Sequence, residues 1–204
     1  MPVISNVRAH VSASEAELNY QLLEIARGSS WLMDALATVR QLELAEWCIG
    51  AGAIRNLVWD TLHGKSSPSK LSDVDVAYFD LADISHQRDQ ELQGRLLALR
   101  PSVPWEITNQ AGVHQWFEAH FGHAVEPLES LQEAVASWPE FATAVGISLD
   151  QDNALRVIAP HGLEDLFAIV VRRNPVRVSV ETYRERVAQK RYPERWPRVK
   201  VVPC

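Results

Sequence analysis

Apolar positions along the chain fall into short runs whose spacing switches between the helical and the strand period, with polar breaks between them. Ser14 followed by Glu17 forms a capping-box pair. Leu18, Leu22, Leu23 and Ile25 continue at helical spacing, so a helix is predicted over 15–26. A second helix is predicted over 30–43, with Trp31, Leu32, Leu36, Val39 and Leu42 as its buried stripe. Trp47-Cys48-Ile49 reads as a short buried strand ending at Gly50. Residues 53–63 read as helix, because Ile54, Leu57, Val58, Thr61 and Leu62 share one face and Gly64 can cap the end. A Ser/Lys/Pro loop over 65–72 follows. Residues 74–79 then form a strand interrupted only by Asp75, the pattern of a central strand covered on both faces. Further on, a helix is expected over 84–99, stopped by Pro101, with a strand over 105–108 and a helix over 113–121. Ser130 and Glu133 make another capping box. Residues 142–149 and 154–158, split by Asp150-Gln151-Asp152-Asn153, pattern as a β-hairpin, and 163–171 as a helix before a mixed tail. Helices interleaved with short strands predict an α/β (α+β) domain, a mixed β-sheet flanked by helices.

Composition narrows this picture. At 204 residues, 47% of them hydrophobic and 23% charged, the chain is long enough to bury a sizeable core as a single domain. That domain divides into N-terminal helices (1–46), a core (47–171) and a C-terminal extension (172–204). No apolar run approaches the eighteen or so residues that span a bilayer, and MPVISNVRAHVSASEAELNY lacks the basic and apolar segments of a signal peptide. Two distant cysteines, Cys48 and Cys204, suit a reducing compartment, and a cytoplasmic address with no membrane partner is expected. Net charge is −6, unevenly spread. Residues 172–204 hold ten Lys or Arg against three Glu, a tail of +7 on a body of −13. An acidic body argues against non-specific binding of a nucleic-acid backbone. The basic tail is expected to dock on that body, with contact to phosphates through Arg184, Lys190 or Arg195 as the alternative.

The stretch WCIGAGAIRNLVWDTLHGKSSPSKLSDVDVAYFD, residues 47–80, carries the chemistry. Asp73 and Asp75 stand two apart in a strand and so project to one side, while Val74 and Val76 fill the other. Two neighbouring carboxylates repel, and no Arg or Lys in the strand offsets them. A divalent cation would offset them, since Mg²⁺ takes oxygen ligands and binds one or two carboxylates plus substrate phosphates. Equally, Asp73 can end the strand at its solvent edge while Asp75 pairs with a distant Arg. Gly50-Ala51-Gly52 joins a strand to a helix N-terminus, where free N–H groups favour a phosphate. It is neither the dinucleotide fingerprint, whose third glycine would fall at Arg55, nor a P-loop.

A glycine turn feeding a helix, then Asp-x-Asp on a following strand, resembles the polymerase-beta-type nucleotidyltransferase superfamily. Glu106, in PWEITNQ, matches that superfamily's third carboxylate. More narrowly, GAGAIRNLVWDTLHG, SDVDVAYFD, PWEITNQAGVHQW, WPEFATAVGISL and APHGLEDLFAIVVRRNP are similar to a bacterial family of predicted nucleotidyltransferases, and the resemblance covers most of the chain. It implies a two-metal site of Mg²⁺ or Mn²⁺ on Asp73, Asp75 and Glu106, with Glu106 placed to take the proton of an attacking hydroxyl. It implies a nucleoside triphosphate held by Gly50, Gly52, Arg55 and Ser72, and transfer of a nucleoside monophosphate to an unknown acceptor. This chain departs from the superfamily pattern in its Gly-Ala-Gly turn and its longer Gly52-to-Asp73 spacing, which put phosphate contact by Gly52 in question. A non-catalytic nucleotide- or partner-binding protein on the same fold is the alternative.

Remaining candidates are weaker. Asn109 and Gln110 are within reach of a base or sugar or are structural amides. Asp80 and Asp83 belong to the turn before the helix at 84. His114, His120 and His123 lack an established ligand spacing and read as surface residues. The seven tryptophans read mostly as core anchors.

Overall fold

The structure, a computed structural model, describes residues 13–204. Residues 1–12, part of the stretch read above as lacking a leader, lie outside the described residues. Two helices open the chain, α1 (Glu15–Gly28) and α2 (Ser30–Arg40). Ser14 Oγ accepts from Glu17 N at 3.3 Å, the cap its sequence predicts, and Ser29 Oγ accepts from Leu32 N at 3.4 Å to cap the second helix. Strand β1 (Trp47–Gly50) turns directly into α3 (Ala51–Leu62), which Gly64 closes at φ +62°. After the 65–72 loop come β2 (Val74–Tyr78), the crossover helix α4 (His86–Leu99) and β3 (Trp105–Asn109). Helix α5 (His114–Phe121) and helix α6 (Leu131–Ala136) precede the hairpin β4 (Gly146–Leu149) and β5 (Leu155–Ile158). The chain finishes with α7 (Glu164–Phe167), β6 (Val170–Val171), α8 (Val180–Lys190), α9 (Tyr192–Arg195) and β7 (Lys200–Val201).

Five strands form one mixed sheet in the order β3-β2-β1-β4-β5. β2 and β3 run parallel, joined by α4, and the other pairs are antiparallel. Alternation along the strands decides what each face does. Val74, Val76 and Tyr78 of β2, with Ile107 of β3 and Ile49 of β1, enter the large core shared with α1, α2, α3 and α4. On the opposite face Cys48 and Ala77 meet Leu131 and Val135 of α6 in a small cluster that covers only part of the sheet. The uncovered part is where the charged residues of β2 and β3 emerge.

Three expectations need correction. Residues 163–171 are not one helix: α7 lasts four residues, Ile169 adopts φ +58°, and Val170–Val171 pairs with Lys200–Val201. Two β-branched residues thus satisfy a strand partner some thirty residues away. Residues 142–145 are not strand; a 3-10 turn covers Phe141–Thr143, held by Thr143 Oγ1 donating to Glu140 O at 2.9 Å. Helix α2 stops at Arg40 rather than at 43, since Glu43 sits at φ +58°.

The basic tail docks on the acidic body. Arg186 Nε lies 2.6 Å from Glu140 Oε1, Trp196 Nε1 donates to Asp60 Oδ1 at 2.7 Å, and Arg198 Nη2 donates to Leu62 O at 2.6 Å. Tyr183, Tyr192 and Trp196 are almost wholly buried, so the extension is bound by packing as much as by charge.

Candidate active site

Parallel pairing of β2 with β3 places Asp75 directly opposite Glu106. Asp73 projects to the same side two residues away. All three line one pocket of about 290 Å³, whose other walls are Ala51, Gly52 and Arg55 at the start of α3, and Arg186 and Lys190 of α8. No Arg, Lys or His forms an ion pair with the three carboxylates among the described residues. Burial pushes the Asp75 carboxyl up to about 6, the charges of Asp73 and Glu106 push the same way, and Arg186 and Lys190 only partly oppose them. On the same sheet face, one strand over on β1, burial raises the Cys48 thiol to about 12, with Asp75 adding to the effect. The reading of Asp75 as the partner of a distant Arg is therefore not the arrangement found.

The turn before α3 is built from two different needs. A Cβ on Gly50 would lie 2.5 Å from the Trp138 ring and 2.8 Å from Val145 O, so Gly50 is demanded by packing, and it does not line the pocket. A Cβ on Gly52 would meet only Arg55 Nη2 at 3.8 Å and Asp73 Oδ1 at 3.9 Å, so the protein itself leaves room there. Between them Ala51 holds φ +50°, and its N–H is spent on Val145 O at 3.2 Å. No side chain caps α3, which leaves the N–H groups of its first turn facing the carboxylate pocket.

Other sequence-predicted residues fall in varied places. Arg55 borders the pocket, but the residue is only 3% exposed, with its Cζ 5.5, 5.0 and 5.6 Å from the ring centres of Trp59, Tyr192 and Trp196. Its Nη2 donates to Asn56 Oδ1 at 2.7 Å and its Nη1 to Tyr192 Oη at 3.4 Å, while Nε has no partner. Ser72 Oγ donates to Asp73 Oδ2 at 3.1 Å and is exposed beside the pocket. Asn109 is not presented to it: the amide donates to Asp80 O and Asp83 O and accepts from Asp80 N and Ala111 N, so it ties the turn after β2 to β3. Asp80 and Asp83 serve that turn through Ala82 N and Ser85 N. Arg184 and Arg195 are used on Cys204 O and Lys70 O. Lys190 and the unforeseen Arg186 are the tail cations that reach the pocket. Their i, i+4 spacing, in a segment whose pattern reads only as a mixed tail, was the available signal.

The donor set suits a hard divalent cation: three carboxylates, hard oxygen ligands, with only Ser72 bonded to one of them among the described residues. As they stand, no three acidic, His or Cys side chains among the described residues converge closely enough to hold an ion alone. Two carboxylates with phosphate oxygens are the usual Mg²⁺ arrangement, and the pocket fits that.

A mixed sheet with paired acids on its open face and a glycine turn leading into a helix defines a polymerase-beta-type nucleotidyltransferase fold. A family model for nucleotidyltransferase matches residues 37–201, and the chain belongs to that family. A solution structure described as a CCA-adding enzyme head domain aligns at 31% identity and TM-score 0.77, covering 91% of this chain and 96% of the other. A CCA-adding enzyme in complex with CTP aligns at 12% identity and TM-score 0.54, and an apo CCA-adding enzyme at 12% and 0.52. These last two show the fold alone. The chain covers 91% and 89% of itself in those matches but only 43% and 42% of the longer enzymes. No functionally curated protein matches the chain.

Proposed function

We propose that this protein transfers a nucleoside monophosphate from a nucleoside triphosphate to an acceptor hydroxyl, with Mg²⁺ or Mn²⁺ held on Asp73, Asp75 and Glu106. The observation that carries the reading is the register of β2 and β3, which sets Asp75 opposite Glu106 in an acid-lined pocket with two cations on its far wall. When bound, a metal pair supplies activation of the attacking hydroxyl and stabilisation of the leaving oxygen. This chain's residues supply the rest. The uncapped start of α3 at Gly52, together with Arg186 and Lys190, faces the triphosphate charge, and Ser72 stands at the edge beside Asp73. Glu106, exposed at the pocket rim, accepts the hydroxyl proton. Arg55 holds Tyr192 and Trp196, and thereby α8, in place. Two free cysteines suit a reducing, cytoplasmic setting.

A non-catalytic nucleotide binder is the second reading, favoured by the absence of a tight three-acid cluster among the described residues. Pyrophosphate release from each triphosphate, with Mg²⁺ and with water as default acceptor, separates the two. Slow release by wild type, lowered about 10²-fold or more in Glu106→Gln, is expected. Nucleotide binding that needs no metal and yields no pyrophosphate would favour the binder.

A further inference from the structure

The carboxylate pocket does not end at Glu106. Along β3 it opens into a second cavity of about 390 Å³, and the two share Thr108, Gln110, Trp138, Pro139 and Arg186. The far wall of this cavity is aromatic. Trp116 and Phe121 of α5 stand 41% and 47% exposed, although both rings are held against Phe117 between them. Trp116 stacks on Phe117 with ring centres 6.3 Å apart, and Phe121 lies 4.5 Å from the same ring. The Arg177 guanidinium lies 5.5 Å from the Phe117 ring centre and closes that side. A single exposed aromatic side chain needs no account, but two ordered rings on one wall of a cavity continuous with an acid-lined pocket do.

We propose that this cavity is the acceptor subsite and that it takes a flat, ring-bearing hydroxyl compound. The ring stacks on Trp116 and Phe121, and the hydroxyl points back along β3 toward Glu106. The inference rests on the nucleotidyl-transfer reading of the neighbouring pocket. In such a transfer the attacking hydroxyl and the departing pyrophosphate lie on opposite sides of the α-phosphorus. The phosphate-facing end of the pocket is the start of α3, and neither Ala51, Gly52 nor Arg55 lines the aromatic cavity. The opposite end runs past Glu106, Thr108 and Gln110 into it. In the step, the acceptor oxygen forms a bond to the α-phosphorus and the bond from that phosphorus to the bridging α,β-oxygen breaks. The hydroxyl proton goes to the Glu106 carboxylate, and pyrophosphate leaves with the bonding pair. A nucleobase is the competing occupant.

The test uses full-length wild type and the double variant Trp116→Ala, Phe121→Ala, whose exposed positions leave the core intact. Each is saturated with Mg²⁺ and a non-hydrolysable triphosphate analogue. NMR shift titrations then use adenosine and N-acetyltyrosinamide as ring-bearing hydroxyl probes and glycerol as the ringless control. At least one ring probe is expected to shift α5 resonances of wild type, to bind the double variant about 10-fold or more weakly, and to outbind glycerol. Affinity for the analogue should stay within twofold. Absence of ring-probe binding, or equal binding of glycerol, overturns the proposal. A double variant that loses the analogue instead assigns the cavity to the base and also overturns it. Wild type that fails to bind the analogue with Mg²⁺ overturns the underlying transfer reading, a separate result seen before any probe is added.

Discussion

Asp75 concentrates the electrostatics of the site, because it lies between Asp73 and Glu106 in a pocket where none of the three carboxylates has an ion-paired cation among the described residues. Its folded-state pKa of about 6 stands above the ordinary 3.8, through burial first and the charges of Asp73 and Glu106 second. The folded chain therefore holds this proton more tightly than the unfolded chain. The resulting stability is complete below about pH 4 and is lost as pH rises through about 6. Asp75→Asn is expected to raise stability in metal-free buffer at pH 8 by on the order of 1–3 kcal/mol, with little difference near pH 4. Thermal melts at both values check this, and an unchanged midpoint at pH 8 contradicts it. The same proton competes with a cation, so Mg²⁺ affinity should climb through pH 6. Ala51 offers a second prediction at this scale. Its φ of +50° suits glycine, and Ala51→Gly should stabilise by about 1 kcal/mol in urea titrations. The carboxylates were legible in the sequence because charge in an apolar strand is a costly anomaly. Gly50 was legible as a required glycine but not for its reason, the Trp138 ring, which arrives from almost ninety residues away. Arg186 was hidden among the many cations of its segment, and Asn109 gave no sign that its amide would be used up on a turn.

At the level of elements, the helices that open on a Ser capping box, α1 and α6, appear where their sequence places them, since cap and stripe are local. Strand β6 was not legible, because it exists only through β7 at the end of the chain, and local residues after α7 continue an apolar pattern a helix could also use. Helix α8 matters most for the site. Glu140, 1% exposed, accepts from Arg186, from Tyr192 Oη at 3.0 Å and from Thr143 Oγ1 at 2.9 Å. Burial would raise its pKa, yet the charge and hydrogen bond of Arg186 with the charge of Arg55 hold it below the usual carboxylate range. Glu140→Gln keeps the shape and removes the charge. It is expected to cost about 2–4 kcal/mol in denaturant titrations and to weaken triphosphate binding by loosening Arg186. Unchanged stability would mean that α8 is held by Tyr183, Tyr192 and Trp196 alone.

Across the whole molecule, the charge asymmetry of the sequence resolves into a docked extension, with two of its cations turned toward the acid-lined pocket and others bonded to the body. Arg172 and Arg186 of the extension are ion-paired with body carboxylates, Asp165 and Glu140. Among the described residues no helix is long and apolar enough to cross a membrane. With a net charge of −6 on the protein, random-sequence duplex DNA should show no appreciable retention in filter binding at physiological salt, and tight binding with a steep salt slope would contradict this. The fold class was legible because alternation of helix and strand periods is a property of the entire chain. The open sheet face was not, since it depends on how little of that face α6 covers.

In the proposed function Asp73 and Asp75 join a cation to a nucleoside triphosphate. Calorimetric titration with each of the four triphosphates, with and without Mg²⁺, tests it most directly, comparing wild type with a folded Asp73→Asn, Asp75→Asn variant. Wild type is expected to bind in a way that requires Mg²⁺ and is lost in the variant. Triphosphate binding that is the same in both proteins, or none in wild type, would contradict it.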